Sequence, residues 1–387
     1  MLPLGSQRFI EIAGGPSMDS IVREVITRAG GEPRVPDAPT QARVGFTAED
    51  TELERILASL RTNIKIIGIG GGGTNTIDRL VEAGIIGAEL YATNTDAQHL
   101  LTIRAPHKIL LGRRTTRGLG AGSLPQVGEE AAREAEEELR AALQGADLVF
   151  ITCGLGGGTG TGGAPFVAQL AKEMGALTIA ICTFPFRAEG AIRAENAEYG
   201  LERLRNFADT VVVIPNDKLI ELVPRLALNA AFKVADDVLM RAIKGITEVI
   251  TRPGLVNLDF NDIKTIMKGG GVAMIGLGES DSDRRSEEAI EEAINSPLID
   301  VDISTATGAL VNVTGGTDMT VSEAEKTAEI VQSRISPNAR IIWGAAVDPS
   351  VDHTLRVMLI LTGVKSKQIY GPGELLRGRE AGVDVVR

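Results

Sequence analysis

Two glycine-rich runs are the residues of this 387-residue chain best suited to chemistry. The first is Gly68-Ile-Gly70-Gly-Gly-Gly73, and the second is Gly154-Leu-Gly156-Gly-Gly158-Thr-Gly-Thr-Gly-Gly163. Each run lies between an apolar, strand-like segment and a helix-like segment. Glycines at such a junction let backbone N–H groups approach phosphate oxygens, and the N-terminus of the following helix favours negative charge. Two such loops predict a pocket that holds the phosphates of a nucleotide from two sides.

The first run alone leaves three interpretations open. It matches the dinucleotide fingerprint, and Asp96 lies near the distance at which a ribose-binding acid is expected, so a nicotinamide-dependent oxidoreductase is one of them. Another nucleotide-binding protein is the second, and a tight turn without a ligand is the third. The second run favours the nucleotide-binding protein because a dehydrogenase needs only one such loop. The chain contains no Gly-Lys dipeptide, which disfavours a Walker-type site.

The segments around these runs alternate between short apolar stretches and amphipathic ones. Strands are predicted at 64–69, 89–93, 148–152, 177–183 and 210–214, and helices at 74–83, 126–144 and 164–174. The second glycine run is expected to precede a helix that begins near Ala164 and Pro165. This order predicts an α/β fold with a Rossmann-like parallel sheet covered by helices on both faces.

The pattern of apolar residues changes after residue 226. Apolar residues recur near the helical period from 228 to 251 and also fill the positions between, which predicts a long helix buried on several sides. Further strands at 272–277, 308–313, 340–345 and 354–361, with helices at 286–295 and 321–334, predict a second, smaller α+β domain. The expected division is an N-terminal extension 1–62, a nucleotide-binding domain 63–226, a central helix 227–251, a C-terminal domain 252–365 and a tail 366–387.

Composition excludes several classes of function. The net charge of -11 and the isoelectric point near 5.0 oppose binding to a nucleic-acid backbone. Cys153 and Cys182 lie in apolar runs, which is typical of buried thiols in a reducing compartment. No segment approaches the ~18 apolar residues of a membrane span. We therefore expect a cytoplasmic protein with no direct membrane insertion.

The second run also carries a family resemblance. Gly156-Gly-Gly-Thr-Gly-Thr-Gly162 resembles the signature of the tubulin/FtsZ family, closest to its archaeal cell-division type. Four more segments match in the family's order: Asn94-Thr-Asp-Ala-Gln98, Gly118-Leu-Gly-Ala-Gly122, Pro185-Phe-Arg-Ala-Glu-Gly190 and Asn257-Leu-Asp-Phe-Asn-Asp262. The resemblance implies a GTPase that binds GTP and GDP with Mg²⁺. It also implies head-to-tail self-assembly and a division ring at mid-cell.

The resemblance also assigns binding residues. It implies a first phosphate loop of Gly71, Gly72, Gly73, Thr74 and Asn75, faced by Gly158, Thr159 and Gly160. Glu189 and Arg193 would contact the ribose end. Phe232 would stack on the base, and Asp236 would accept hydrogen bonds from guanine that adenine cannot donate. Asn94 is a second candidate for guanine.

Catalysis is assigned to acids outside both glycine runs. In relatives that the sequence resembles, these acids reach the nucleotide of the neighbouring subunit, so Asp259 and Asp262 would position the attacking water with help from Asn257. From spacing alone, Asp259 and Asp262 more often mark an ordinary helix N-terminus. A non-catalytic GTP-binding scaffold of the same fold stays open, because a sequence gives no rate.

Two further expectations concern partners and histidines. The end Gly382-Val-Asp-Val-Val-Arg387 suits docking to a division-ring adaptor or membrane-anchor protein, although a solvated end explains it equally well. His99, His107 and His353 show no metal-ligand spacing, which predicts ordinary surface or packing residues and no protein metal site.

Overall fold

A ten-stranded sheet organises the described part of the chain, in the order β3-β2-β1-β4-β5-β6-β7-β10-β8-β9. The computed structural model describes residues 62–222, 228–251, 256, 258–299, 301–349, 351 and 353–364. The strands are β1 Ile64–Ile69, β2 Ala88–Asn94, β3 His107–Leu110, β4 Leu148–Gly154, β5 Leu177–Phe184, β6 Thr210–Pro215, β7 Gly271–Ser280, β8 Gly308–Gly315, β9 Arg340–Val347 and β10 Leu355–Thr362.

Eleven α-helices accompany these strands within the described residues. They are α1 Gly70–Glu82, α2 Ala97–Thr102, α3 Pro125–Glu134, α4 Glu136–Leu143, α5 Thr159–Glu173, α6 Ala191–Phe207, α7 Asn216–Leu222, α8 Leu228–Thr251, α9 Phe260–Met267, α10 Arg285–Ile294 and α11 Val321–Arg334. Two short 3₁₀ turns, Arg187–Glu189 and Ile303–Thr305, complete the list. No described helix combines the length and apolar character that crossing a bilayer requires.

Strands β1 to β6 are all parallel, and their order places β1 beside β4 in the middle. In a doubly wound sheet the chain turns to opposite sides from such a pair, which opens a crevice at the carboxyl ends of the two strands. Both glycine runs follow these strands, because one begins at the end of β1 and the other at the end of β4. The topology therefore brings together two segments that are about ninety residues apart in the chain.

The long helix α8 joins the two halves of the sheet through one core. Its apolar residues Leu239 and Ile243 are buried in a cluster that contains Ile179 of β5, Ile275 of β7 and Ile360 of β10. The buried residues of α8 recur at the helical period, so they lie on one broad face, and exposed charged residues lie on the other. The expectation of a long helix is confirmed, whereas the expected burial on several sides was wrong.

The second half of the sheet is mixed. Strand β7 pairs in parallel with β6 over three residues and antiparallel with β10, while β8 and β9 run parallel to each other. Helices α10 and α11 cover this part over a separate core that includes Met274 and Val311. The predicted fold, a parallel-sheet nucleotide domain followed by a long helix and a smaller α+β region, is confirmed.

Several predicted boundaries were wrong, and the glycine runs explain the most informative of them. Helix α1 begins at Gly70 rather than at residue 74, and α5 begins at Thr159 rather than near Pro165. The glycines thus form the first turns of the helices, where several backbone N–H groups have no partner within the helix. Pro165 lies inside α5. The single helix predicted at 126–144 is broken at Ala135, whose ψ of 18° departs from helical geometry.

Candidate nucleotide-binding site

The first glycine run divides its residues between a cleft and the core. Gly70 has a φ of +73°, a conformation that side chains disfavour, and it turns the chain from β1 into α1. Gly71 and Gly72 then line a cleft, and a methyl group on Gly71 would meet only open space. Gly73 is buried, and a Cβ there would lie 2.2 Å from the carbonyl oxygen of Thr152. Neighbouring glycines therefore serve different purposes, access for a ligand and close packing on β4.

The second glycine run also combines glycines that line the cleft with glycines that pack closely against neighbouring backbone. Gly157, Gly158 and Gly160 line the cleft from the other side. A Cβ on Gly158 would approach the carbonyl oxygen of Gly122 to 2.7 Å, and one on Gly162 would approach that of Pro125 to 1.8 Å. The glycines therefore also allow α5 and α3 to pack backbone to backbone.

Hydrogen bonds from hydroxyl and amide side chains hold the second glycine run in place. The Thr161 hydroxyl accepts a hydrogen bond from the Gly156 N–H at 2.9 Å, and the hydroxyls of Thr159 and Thr95 lie 2.6 Å apart. From α6, the Asn196 amide donates to the carbonyl oxygens of Ser123 and Gly156, at 3.0 and 3.3 Å. The loop is thus held in shape by its own Thr161 and by side chains of two other segments, Thr95 and Asn196.

Together these loops enclose a cleft of about 360 Å³. The N-termini of α1 and α5 both open on it, so unpaired backbone N–H groups and the positive ends of two helix dipoles converge there. Such an arrangement binds anions, and phosphates in particular. Among the described residues, no cluster of acidic, histidine or cysteine side chains could hold a metal ion by itself.

The remaining wall of the cleft carries side chains suited to a sugar and a base. Glu189 accepts hydrogen bonds from the Phe186 N–H at 2.9 Å and from the Arg193 guanidinium at 3.0 Å. The Phe232 ring is 37% exposed, and Phe186 holds it edge-on with ring centroids 5.0 Å apart. A planar base can stack on an aromatic ring presented in this way.

Asp236 supplies a carboxylate to the same wall from α8. Its side chain is 16% exposed, and the nearest cation is Arg79 of α1, with Nε 3.7 Å from Oδ2. Burial raises the pKa of Asp236 to about 6, although Arg79 opposes that shift. Within the described residues, no hydrogen-bond donor lies closer to this carboxylate than Arg79, and a ligand that donates hydrogen bonds would stabilise its ionised form.

Asn216 is a site residue that sequence reasoning missed. It follows β6 directly and lines the cleft, it is 4% exposed, and its Oδ1 atom has no hydrogen-bond partner in the described structure. A buried polar atom without a partner is costly, so this oxygen is suited to accept a hydrogen bond from a ligand. The only available signal in the sequence was its place at the carboxyl end of a parallel strand.

Most of the residues predicted to bind a nucleotide meet at this cleft. The following line it: Gly71, Gly72, Asn75, Gly158, Thr159, Gly160, Glu189, Arg193, Phe232 and Asp236.

Three predicted binding residues stand behind the lining. Gly73 packs on β4. The Thr74 hydroxyl donates to the carbonyl oxygen of Gly70 at 2.8 Å. The amide of the buried Asn94 is hydrogen-bonded to the Asp96 N–H and to the His99 ring. These residues shape the loops around the cleft.

The predicted catalytic acids lie apart from the cleft, and neither lines it. Asp259 is the N-cap of α9 and accepts a hydrogen bond from the Asn261 N–H at 3.3 Å. Asp262, in the first turn of α9, is exposed. Asn257 lies outside the described residues. Both described carboxylates thus face solvent at a helix N-terminus.

Comparisons with known proteins cover both halves of the chain. Residues 63–224 match the GTPase domain of the tubulin/FtsZ family, and residues 271–365 match the C-terminal domain of the FtsZ family. Cell division protein FtsZ 1 of Archaeoglobus fulgidus is 58% identical over 370 residues, which are 96% of this chain and 100% of that protein.

A second curated relative and a solved structure agree with this match. Cell division protein FtsZ of Haloferax mediterranei is 57% identical over 357 residues, which are 92% of this chain and 95% of that protein. An empty FtsZ dimer from M. jannaschii is 55% identical, with a TM-score of 0.79. The match covers 82% of this chain and 92% of the M. jannaschii chain.

Proposed function

Because the chain belongs to the tubulin/FtsZ family, and is a GTPase of the cell-division cytoskeleton, we propose that GTP binds in the cleft between the two glycine loops. The observation that carries this proposal is the convergence of two helix N-termini on one cleft, which suits a chain of phosphates. The phosphates would contact the backbone of Gly71, Gly72, Gly158 and Gly160. The ribose would then lie toward Glu189 and Arg193.

Guanine is favoured over adenine by the acceptors at the base end of the cleft. Asp236 and Asn216 present a carboxylate and an unpaired amide oxygen, and both need hydrogen-bond donors. The N1-H and N2-H₂ edge of guanine donates two hydrogen bonds side by side, whereas N1 of adenine is an acceptor. Phe232 would stack on the base. GTP is therefore the expected substrate, and ATP is expected to bind weakly.

Hydrolysis would require a second copy of the chain. The chain self-associates, as does the dimeric FtsZ of M. jannaschii. The cleft and the exposed acids Asp259 and Asp262 belong to different parts of the molecule, so a head-to-tail contact would bring the acids of one copy to the nucleotide of the next. Exposed apolar side chains beside the cleft, Leu119, Leu124 and Ile192, suit such a contact surface.

In this arrangement the acids would act on water. Asp259 and Asp262, with Asn257, would orient and polarise the water that attacks the γ-phosphate, which is the main protein contribution to phosphoryl transfer. Mg²⁺ would be held chiefly by phosphate oxygens and water, as this ion prefers, and would neutralise charge on the phosphates. Loss of the γ-phosphate would then weaken the contact between copies.

Placement at a mid-cell ring would depend on a partner. The tail 366–387, which lies outside the described residues, would dock on a division-ring adaptor or membrane-anchor protein. Deleting the tail should leave GTP hydrolysis and polymerisation intact while abolishing recruitment to the adaptor. Unchanged recruitment of the shortened protein would reject this role for the tail.

Phosphate release measured against protein concentration tests the proposal as a whole. If the active site forms between copies, the rate per molecule should rise with concentration, and light scattering should rise upon addition of GTP. ATP should support neither change. A constant rate per molecule across the concentration range, or equal rates with GTP and ATP, would overturn the proposal.

A further inference from the structure

His99 lies behind the cleft and joins two segments that the family resemblance placed at the nucleotide. It is the third residue of α2, where its backbone N–H donates to the Asp96 carboxylate at 3.0 Å. Its ring Nε2 is 3.1 Å from Oδ1 of Asn75, and its Nδ1 is 3.0 Å from Nδ2 of Asn94. The ring thus lies between an asparagine of the cleft and a buried asparagine of β2.

Counting donors and acceptors fixes the roles of these groups. The Asn94 Oδ1 atom accepts the Asp96 N–H at 3.3 Å, so the Asn94 amide turns its NH₂ group toward His99. Nδ1 must then accept, which leaves the proton of the neutral ring on Nε2. That N–H donates to Oδ1 of Asn75. The contact from Nδ1 to the Thr74 hydroxyl is longer, at 3.4 Å, and that hydroxyl already donates to Gly70.

We propose that His99 is a positioning residue that sets the direction of the Asn75 amide. Because His99 occupies the oxygen of that amide, the side chain of Asn75 offers its NH₂ group to the cleft. An NH₂ group suits a ligand oxygen, whereas the carbonyl oxygen of a reversed amide would repel a phosphate. His99 therefore strengthens nucleotide binding through Asn75 without touching the nucleotide. This inference rests on the proposed binding of guanine nucleotide in the cleft.

A double-mutant cycle tests whether His99 acts through Asn75. The four proteins are the unaltered chain, His99→Leu, Asn75→Ala and the combined variant, and the quantity measured is the Kd of GDP at pH 7.5. Asn75→Ala should weaken binding about tenfold, since one hydrogen bond to a charged ligand is lost. His99→Leu should weaken it by a similar factor. The combined variant should bind no more weakly than Asn75→Ala alone.

Two further variants separate positioning from support of the fold. His99→Gln can still donate to Oδ1 of Asn75 and should retain GDP affinity within about twofold, whereas the shorter His99→Asn should behave like His99→Leu. Leu101→Gln, at an exposed position of the same helix, is the matched control and should bind normally. Melting temperatures verify folding. If His99→Leu does not fold, His99→Asn takes its place in the cycle.

Three results would overturn the inference. In the first, the His99 variants weaken binding by the same factor whether or not Asn75 is present, as a loop support would. In the second, His99→Leu binds GDP as tightly as the unaltered chain. In the third, His99→Gln is as weak as His99→Asn. Failure of the proposed function would look different, because the unaltered chain itself would then bind no GDP.

Discussion

The nucleotide cleft and the acid helix α9 differ in how complete they are within one molecule. In the cleft, Glu189 and Asn75 are held by hydrogen bonds, and two helix N-termini are already aimed at one point. At α9, the one described hydrogen bond of the Asp259 carboxylate is to the backbone of its own first turn, and Asp262 is exposed. The comparison supports the proposal that binding is built into the single chain, whereas hydrolysis requires an association between chains.

The largest expected effect separates these two regions directly. Asp262→Ala should lower the GTPase rate by about 100-fold or more, because the attacking water loses a positioning carboxylate. The Kd of GDP for the monomer should change by less than about twofold, since the cleft is intact. Glu325→Ala, an exposed acid on α11, is the control and should hydrolyse normally. A large loss of GDP affinity in Asp262→Ala would mean that the two regions are not separate.

Two glycines of the first run, Gly71 and Gly73, test the account of the cleft itself. Gly73→Ala would press a methyl group against the carbonyl oxygen of Thr152 and should lower the free energy of unfolding by about 2–3 kcal/mol. Gly71→Ala meets open space, so its stability should be unchanged while its affinity for GDP falls. Denaturant unfolding and GDP titration of both variants check this. Equal stability of the two variants would contradict the assigned division of the loop.

The pH dependence of GDP binding tests the carboxylate of the cleft. Burial raises the pKa of Asp236 to about 6, and guanine should bind the ionised form, so affinity should be level above about pH 7 and fall as the pH decreases through 6. At pH 5 the loss should be about tenfold. The phosphates of GDP also titrate, and their contribution should be the same for the unaltered protein and for Asp236→Asn. The difference between the two profiles therefore isolates the carboxyl, and identical profiles would contradict its role.

The smallest expected effect is on the stability of the nucleotide-free protein, and it also concerns Asp236. The folded-state pKa of about 6 lies above the ordinary 3.8, so the folded protein binds more protons, and stability should fall as pH rises from about 4 to 6. Asp236→Asn removes that cost, in which the attraction of Arg79 is already included, but leaves a buried amide in its place. We expect a gain of about 1 kcal/mol in the nucleotide-free protein at pH 7.5. Calorimetry should find no gain at pH 4, and a gain of equal size at both values would refute this cause.

Much of the fold could be predicted because its strands are continuous apolar runs. Strand β1 and helices α8 and α11 match their predicted bounds, since each has a clear periodicity and a clear boundary. Strand β3 was missed because it has four residues, of which His107 and Lys108 are exposed. Helix α6 was missed because few of its seventeen residues are buried and its apolar stripe is weak.

The candidate site was predictable where backbone of the glycine runs lines the cleft, and less predictable where single side chains line it. The glycine runs have a fixed place after β1 and β4, so pattern and topology both indicate them. Asn216 and His99 carry no comparable pattern, because their roles depend on atoms from distant segments. His99 was expected to be an ordinary surface or packing residue, and only the hydrogen bonds of the folded chain distinguish it.

Mixing two inactive variants tests most directly whether the active site is shared between chains. Asp262→Ala keeps its cleft, and Thr159→Arg should disrupt the cleft while keeping its acids, so each alone should be nearly inactive. In a mixture, an intact cleft can face an intact Asp262 across a head-to-tail contact, so GTPase activity should partly return and should rise with total protein concentration. If cleft and acids acted within one chain, every molecule would still lack one of them. A mixture as inactive as its components, with both variants folded and able to co-assemble, would contradict the shared site.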